Sequence, residues 1–361
     1  MSSITRILIA AAATACFVDV VAARQAAPAN QDPLQALRAK DTFSDADRTE
    51  LRKWVDDRFA VIQGDDPVAG GRAVAEVAAA NTGGSAFRRE LANVCIQMAG
   101  KSYKTVEIIP ATQLLSLLNR INDAQAYPVF IEALADDRLG VRYSATAGLR
   151  NLRARLSVAG SKHVTEPLAA LREAGLKESS KHTLRAIYNA MNFHELPNPP
   201  ETKANVEALL ALLGSRADQY MSGRVRAYGA DTDGLRVTGA FGASDMTPEQ
   251  RKQFTIVVGK MLRYAVRIYT TAIKQDDGVV LPPSTSRQDT ELLIREAEKQ
   301  LAALLSPPAS KKPDITRWMR KVDQVRMKIE FNKWGDLVKE ATDFEIFQDA
   351  EPTTKPADGG P

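Results

Sequence analysis

The sequence predicts an all-α protein, on three observations. Apolar residues recur every three or four positions from Ser44 almost to the C-terminus. No run alternates strictly between β-branched and polar residues within hairpin turns. A helix-pair pattern in the middle of the chain repeats after 39 residues. Composition sets the frame for these signals. The chain has 361 residues, 44% of them hydrophobic, 25% charged and 6% aromatic, with a net charge of +4 and two cysteines. That apolar fraction excludes a wholly disordered chain, and the length calls for two domains or a repeat array. No 18-residue apolar run follows the N-terminus, which excludes an ordinary polytopic membrane protein. The mild net charge does not argue for nucleic acid.

Residues 1–23 divide like a secretory signal: Arg6, then an apolar stretch from Ile7 to Ala15, then Val21-Ala22-Ala23 at the cleavage site. Export to a periplasm or exterior is the expectation, with a lipid anchor on Cys16 as the alternative. With Cys16 removed, Cys95 has no disulfide partner, and it reads as a small buried hydrophobe between Val94 and Ile96. Residues 24–42 read as a linker.

Ser44 or Asp45 caps a helix with Leu51, Val55, Phe59 and Ile62 on its apolar face. Gly64-Asp-Asp-Pro67 ends it. An alanine-rich helix around 74–80 follows, then helices marked by Leu91, Val94, Cys95 and Met98 and by Leu114, Leu115, Leu118 and Ile121. From Pro128 to Leu152 the pattern is helix, tight turn, helix. Val141, Ala145, Gly148, Leu149 and Leu152 line the second helix, where small residues let a neighbour approach closely. Thirty-nine residues on, Leu184, Tyr188 and Met191 stand where Ala145, Leu149 and Leu152 stand here. The five glycines of 223–246 predict an irregular connector, in which Leu235-Arg-Val237 is a short strand or a loop. Residues 247–348 then carry three amphipathic helices. Their stripes are Phe254, Val258, Met261, Ala265, Ile268 and Ala272; Leu293, Ala297, Leu301 and Leu304; and Ile315, Trp318, Val322, Val325 and Ile329. Residues 349–361 form a polar tail.

The stretch from Ala135 to Leu149, with Asp136 in the turn and Val141-Arg142 opening the second helix, resembles a HEAT repeat. The resemblance is best over 124–194 and implies an α-solenoid through 43–222. It also implies that Asp136 and Arg142 form a polar ladder between successive repeats, and that the business of the protein is to present a surface to another macromolecule. The second helix of each pair usually lines that surface. On it we expect Tyr143, Arg150, Lys181, Arg185 and Asn189 to make contact.

Catalytic patterns are not found. Gly100-Lys101-Ser102 lacks the earlier glycine of a phosphate loop, and there is no nucleophile elbow or zinc motif. Of the three histidines, His194 before Glu195 reads as a helix-end cation, while His163 and His182 match no motif. Paired carboxylates such as Asp136-Asp137 read as caps. The basic run Arg317, Arg320, Lys321, Arg326 and Lys328 reads as a solvated helix face. The expectation is a non-catalytic binding or scaffold protein without metal or cofactor. Its partner is a protein, or else an acidic polymer or envelope surface, with no nucleic acid. The rival is an exported enzyme that uses Asp231, Asp233 and Asp245 of the connector.

Overall fold

The computed structural model describes residues 33–196, 201–222, 224–225, 227, 229–242, 244–273 and 286–345. The export signal expected of 1–23 and the polar tail expected of 349–361 lie outside the described residues. Fifteen α-helices, and no strand, occur among the described residues.

A short helix α1 (Gln35–Arg38) precedes six antiparallel pairs. These are α2 (Asp45–Ile62) with α3 (Pro67–Ala80), α4 (Ser85–Ser102) with α5 (Ile108–Ile121), and α6 (Tyr127–Ala133) with α7 (Leu139–Ala159). They continue as α8 (Ser161–Lys177) with α9 (Lys181–Ala190), α10 (Thr202–Met221) with α11 (Asp231–Ala240), and α12 (Pro248–Ile273) with α13 (Arg287–Leu305). The second helices stack in chain order, α3 on α5 on α7 on α9 on α11 on α13. Beneath them α6, α8, α10 and α12 form the parallel layer of first helices. This is a HEAT-like α-solenoid. Helices α14 (Ile315–Arg320) and α15 (Gln324–Thr342) close its end against α12 and α13.

Local chemistry sets the helix ends. The Ser44 hydroxyl accepts the Asp47 N–H while the Asp47 carboxylate accepts the Ser44 N–H, a reciprocal cap that starts α2. Lys40 also donates to Asp47. That bond, followed by those from Ser44, lowers the carboxyl pKa from 3.8 to about 2. A depressed carboxylate stabilises the fold above its unfolded pKa of 3.8, and the contribution is lost as the pH falls through about 2. The thermal midpoint of Asp47→Asn should therefore lie below that of the wild type at neutral pH and converge on it in acid. A constant offset would contradict this.

The core runs as one cluster from Leu34 to Val338, through Leu51, Val55, Phe59 and Ile62 as expected. Four expectations need correction. The linker of 24–42 already packs in its last part, because Leu34 and Leu37 of the α1 region are buried. The connector of 223–246 contains helix α11. Glycine there marks close approach: a Cβ on Gly234 would strike the Tyr188 ring, and one on Gly239 would strike Gln300. The boundary at 246/247 is not a break in the stack, since α12 and α13 form its sixth pair. The last predicted helix is two, α14 and α15. Val322 between them has a left-handed φ of 56°, and Asp323 caps α15 by accepting the Arg326 N–H. Val322, Val325 and Ile329 are exposed, and the buried residues of this region are Ile315, Met319, Met327, Trp334 and Val338.

Candidate functional site

The turns of the stack are tied by arginines. Asp136 accepts from the backbone N–H, Nε and Nη2 of Arg138, which holds its carboxyl below the usual range. Arg138 also donates backward, from Nη1 to the Val106 carbonyl at 2.5 Å and from Nη2 to the Tyr103 carbonyl at 2.8 Å. Arg142 reaches forward. Its Nε and Nη2 hold the nearly buried Glu178 at 2.9 and 3.2 Å, while Nη1 donates to the carbonyls of Asp136 and Asp137. The hydrogen bonds to Glu178 raise the pKa of Arg142 against the pull of burial. At the other end of α7, Arg153 donates to the carbonyls of Asn189 and Asn192 and pairs with Glu195. Burial lowers its pKa.

A ladder therefore exists, and Asp136 and Arg142 belong to it, but with partners other than those the resemblance implied. Asp136 orients Arg138 within its own turn instead of meeting an arginine of the next repeat. Glu178 was not singled out from sequence, and Arg138 was read only as one of the cations, with Arg150, Arg153 and Arg155, of a positive stripe on the repeat core. The available signal was the position of Glu178 before Ser180, in the turn where Asp136 stands one repeat earlier.

The five residues expected at the surface separate. Tyr143 and Arg150 are exposed on α7, and Asn189 is half-buried. Lys181 is bound by both oxygens of Asp289 at 2.5 Å, and Arg185 pairs with Asp233 at 2.9 Å. Those two cations join α9 to α13 and to α11, and they are not free for a partner. The reason is long-range: α11 and α13 stack beside α9 and supply carboxylates that no local pattern reveals.

The three connector carboxylates do not converge. Asp231 lies in the core at 0% exposure. It accepts from Nε and Nη2 of Arg216, from the Tyr188 hydroxyl at 2.5 Å and from the Tyr220 hydroxyl at 2.6 Å. Burial pulls the Arg216 guanidinium toward neutrality, and the Asp231 charge more than offsets it. Burial and the same carboxylate push the Tyr188 pKa well up. Asp233 is held by Arg185 and Arg236, and Asp245 is exposed beyond the end of α11. This grouping leaves no shared carboxylate pair for acid–base work. His194 packs on Phe241 with ring centres 5.0 Å apart, and His163 meets Tyr127 edge-on. Cys95 is buried, which raises its thiol pKa. Among the described residues, no three of His, Cys, Asp and Glu cluster closely enough to hold a metal ion. No described helix is long and apolar enough to cross a membrane.

What stands exposed instead is apolar. Val68 at the start of α3, Ile108 and Ile109 at the start of α5, and Leu139 and Tyr143 at the start of α7 are all open to solvent. They occupy the same ends of three consecutive second helices. Ile108 packs beside Gly140, where a Cβ would meet its Cδ1 at 3.3 Å. Gln113 Nε2 donates to the Pro67 carbonyl at 2.7 Å and ties α5 to the start of α3. A cleft of about 470 Å³ runs between the two starts, lined by Gln63, Pro67, Val106, Ile108, Ile109 and Pro110 among others. The sequence reading picked out only Tyr143 from this edge. The adjacent pair Ile108-Ile109 opens α5 at its exposed end, whereas the later pairs Leu114-Leu115 and Leu117-Leu118 of the same helix are buried.

No protein-family model matches the chain, and no curated protein does. Among solved structures it is similar to Kap121p, crystallised bound to Pho4p, at 10% identity and a TM-score of 0.39 over 83% of this chain. The chain spans about a third (34%) of Kap121p. It is also similar to an engineered protein, at 13% identity and a TM-score of 0.30, over 84% of this chain and 97% of that one. Scores this low carry no functional argument.

Proposed function

We propose that the chain is a non-catalytic scaffold that docks a protein partner on the edge formed by the starts of α3, α5 and α7. The observation that carries this reading is the run of Val68, Ile108, Ile109, Leu139 and Tyr143, five large apolar side chains left in water on adjacent helix ends. Scattered single hydrophobes on a surface are ordinary, whereas a contiguous set marks an interaction site. Tyr143 supplies an aromatic anchor of the kind that dominates binding energy. Asp65, Glu107 and Asp137 are exposed beside the edge, without an ion-pair partner among the described residues. The edge therefore suits an apolar segment flanked by lysine or arginine. With the signal-like N-terminus of 1–23, that partner is an envelope or secreted protein.

The test is crosslinked affinity purification of the full chain from its native source, with partners identified by mass spectrometry. Val68, Ile109 and Tyr143 are exposed, so substitution there leaves the fold intact. Ile109→Asp with Tyr143→Asp should weaken binding of a stoichiometric partner by roughly a thousandfold, two hot-spot losses of about 2 kcal/mol each. Arg150→Glu, farther along α7, should change it far less. Undiminished recovery with the double variant would overturn the docking edge, and no enriched protein across several salt conditions would overturn the scaffold reading.

A further inference from the structure

The closing pair α14 and α15 has an outer face that the stack does not cover. Helix α14 and the first turns of α15 bury Ile315, Met319 and Met327 and leave Val322, Val325 and Ile329 outside, with Val325 70% exposed. Val325 and Ile329 lie one helical turn apart, and Val322 precedes them by a further three residues. A β-branched residue at a φ of 56° is a strained choice, and here it turns an aliphatic side chain toward water.

Seven exposed cations belong to the same segment of chain: Lys311, Lys312, Arg317, Arg320, Lys321, Arg326 and Lys328. Among the described residues only Arg326 of these forms an ion pair, with Asp323 at 3.7 Å, although the Asp314 carboxylate lies beside Arg317. Asp314 and Asp323 are committed to capping α14 and α15. Three of the cations ring the half-buried indole of Trp318, with Arg326 at 4.3 Å, Lys321 at 5.0 Å and Arg317 at 5.2 Å from the ring centre. An open depression of about 330 Å³ lies beside them, lined by Asp314, Thr316, Arg317, Arg320 and Lys321.

We propose that this face docks on an anionic phospholipid surface. Charge complementarity fixes the occupant. The cations are exposed and almost unpaired, the aliphatic side chains project between them, and an indole sits at the boundary. That is the composition of a surface that rests in the headgroup layer with shallow apolar insertion. Each cation near such a surface adds to the attraction, which diminishes with salt. The site is distant in sequence from the protein-docking edge and does not depend on it.

The test is co-sedimentation of the full chain with phosphatidylcholine vesicles, with and without phosphatidylglycerol, at low and moderate salt. Binding to the anionic vesicles should be at least about tenfold stronger and should fall as salt rises. Arg320→Glu with Lys321→Glu should reduce it roughly a thousandfold, because reversing two cations changes four unit charges near the surface. Val325→Asp with Ile329→Asp should also weaken it, although both cations remain. Circular dichroism matching the wild type excludes misfolding of these exposed variants. Equal binding to both vesicles, binding to neither, or variants that bind like the wild type would overturn the proposal. So would displacement by soluble glycerol phosphate, which marks a site for free phosphate, or by polyglutamate, which marks a site for an acidic protein.

Discussion

Asp231→Ala should destabilise the middle of the solenoid by about 3–5 kcal/mol, the usual consequence of leaving a buried charge without its partner. The Asp231 carboxylate gathers four donors from two neighbouring helices: Nε and Nη2 of Arg216 and the Tyr220 hydroxyl from α10, and the Tyr188 hydroxyl from α9. The side chain of Arg216 is 1% exposed, so its charge has no water to turn to. Two tyrosine hydroxyls lose their acceptor as well. Because a solenoid repeat contacts only its neighbours, the loss should be local. Hydrogen exchange should accelerate in α9, α10 and α11 and remain slow in α2–α5. Replacing both charges, with Arg216→Met and Asp231→Leu, should recover most of the stability, since a buried pair exchanged for apolar side chains often costs little. An unfolding free energy for Asp231→Ala, from denaturant titration, within about 1 kcal/mol of the wild type would show that the cluster is not a stabilising centre.

The second large effect is expected at Phe130. Its ring is fully buried and lies against Gly148, so closely that a Cβ on that glycine would overlap it. Phe130→Ala removes the ring from between α6 and α7 and should cost about 3–5 kcal/mol, because a rigid backbone notch cannot collapse to fill the cavity. Gly148→Val produces the opposite fault by forcing side chains into the ring, at about 1–3 kcal/mol. Both values are measurable by urea unfolding of the full chain. If Phe130→Ala costs less than about 1 kcal/mol, the α6–α7 packing described above is wrong.

The small residues of α7 and the 39-residue period were legible because they are local and repeated. They are realised as contacts between residues 39 apart: the Tyr127 hydroxyl donates to Glu166 at 2.6 Å, and Arg153 donates to the Asn192 carbonyl. Helix α11 was not legible. Gly234 and Gly239 read as loop residues on propensity, and tertiary approach by Tyr188 and Gln300 overrides that propensity. The break at Val322 was hidden by its own pattern, since apolar spacing of three and four continues across the turn from Ile315 to Ile329. Asp323, a capping residue three before Arg326, was the sign of a new helix start.

The candidate site was legible in part. Tyr143 lies on the exposed edge, and Asp136 and Arg142 lie in the polar ladder. Lys181 and Arg185 were misread for the reason that Asp231 and Asp233 were. Their partners come from other helices, 15 residues away for Asp231 and Arg216 and 108 for Lys181 and Asp289, so a charge that reads as solvated in one dimension is matched in three. The exposed apolar edge itself was not legible, because Ile108 and Ile109 read like the buried pairs Leu114-Leu115 and Leu117-Leu118 of the same helix, and only the stacking of α3, α5 and α7 leaves them outside.

The central claim is that this edge touches a protein partner. It is tested most directly by placing a photo-crosslinking amino acid at Ile109, at Tyr143 and, as a control, at Val158. Val158 is 88% exposed but lies near the far end of α7, about 22 Å from Tyr143 at the helical rise. The account predicts an adduct to one and the same protein from Ile109 and from Tyr143, and none to that protein from Val158. Adducts of equal yield at all three positions, or a shared protein captured only at Val158, would contradict it.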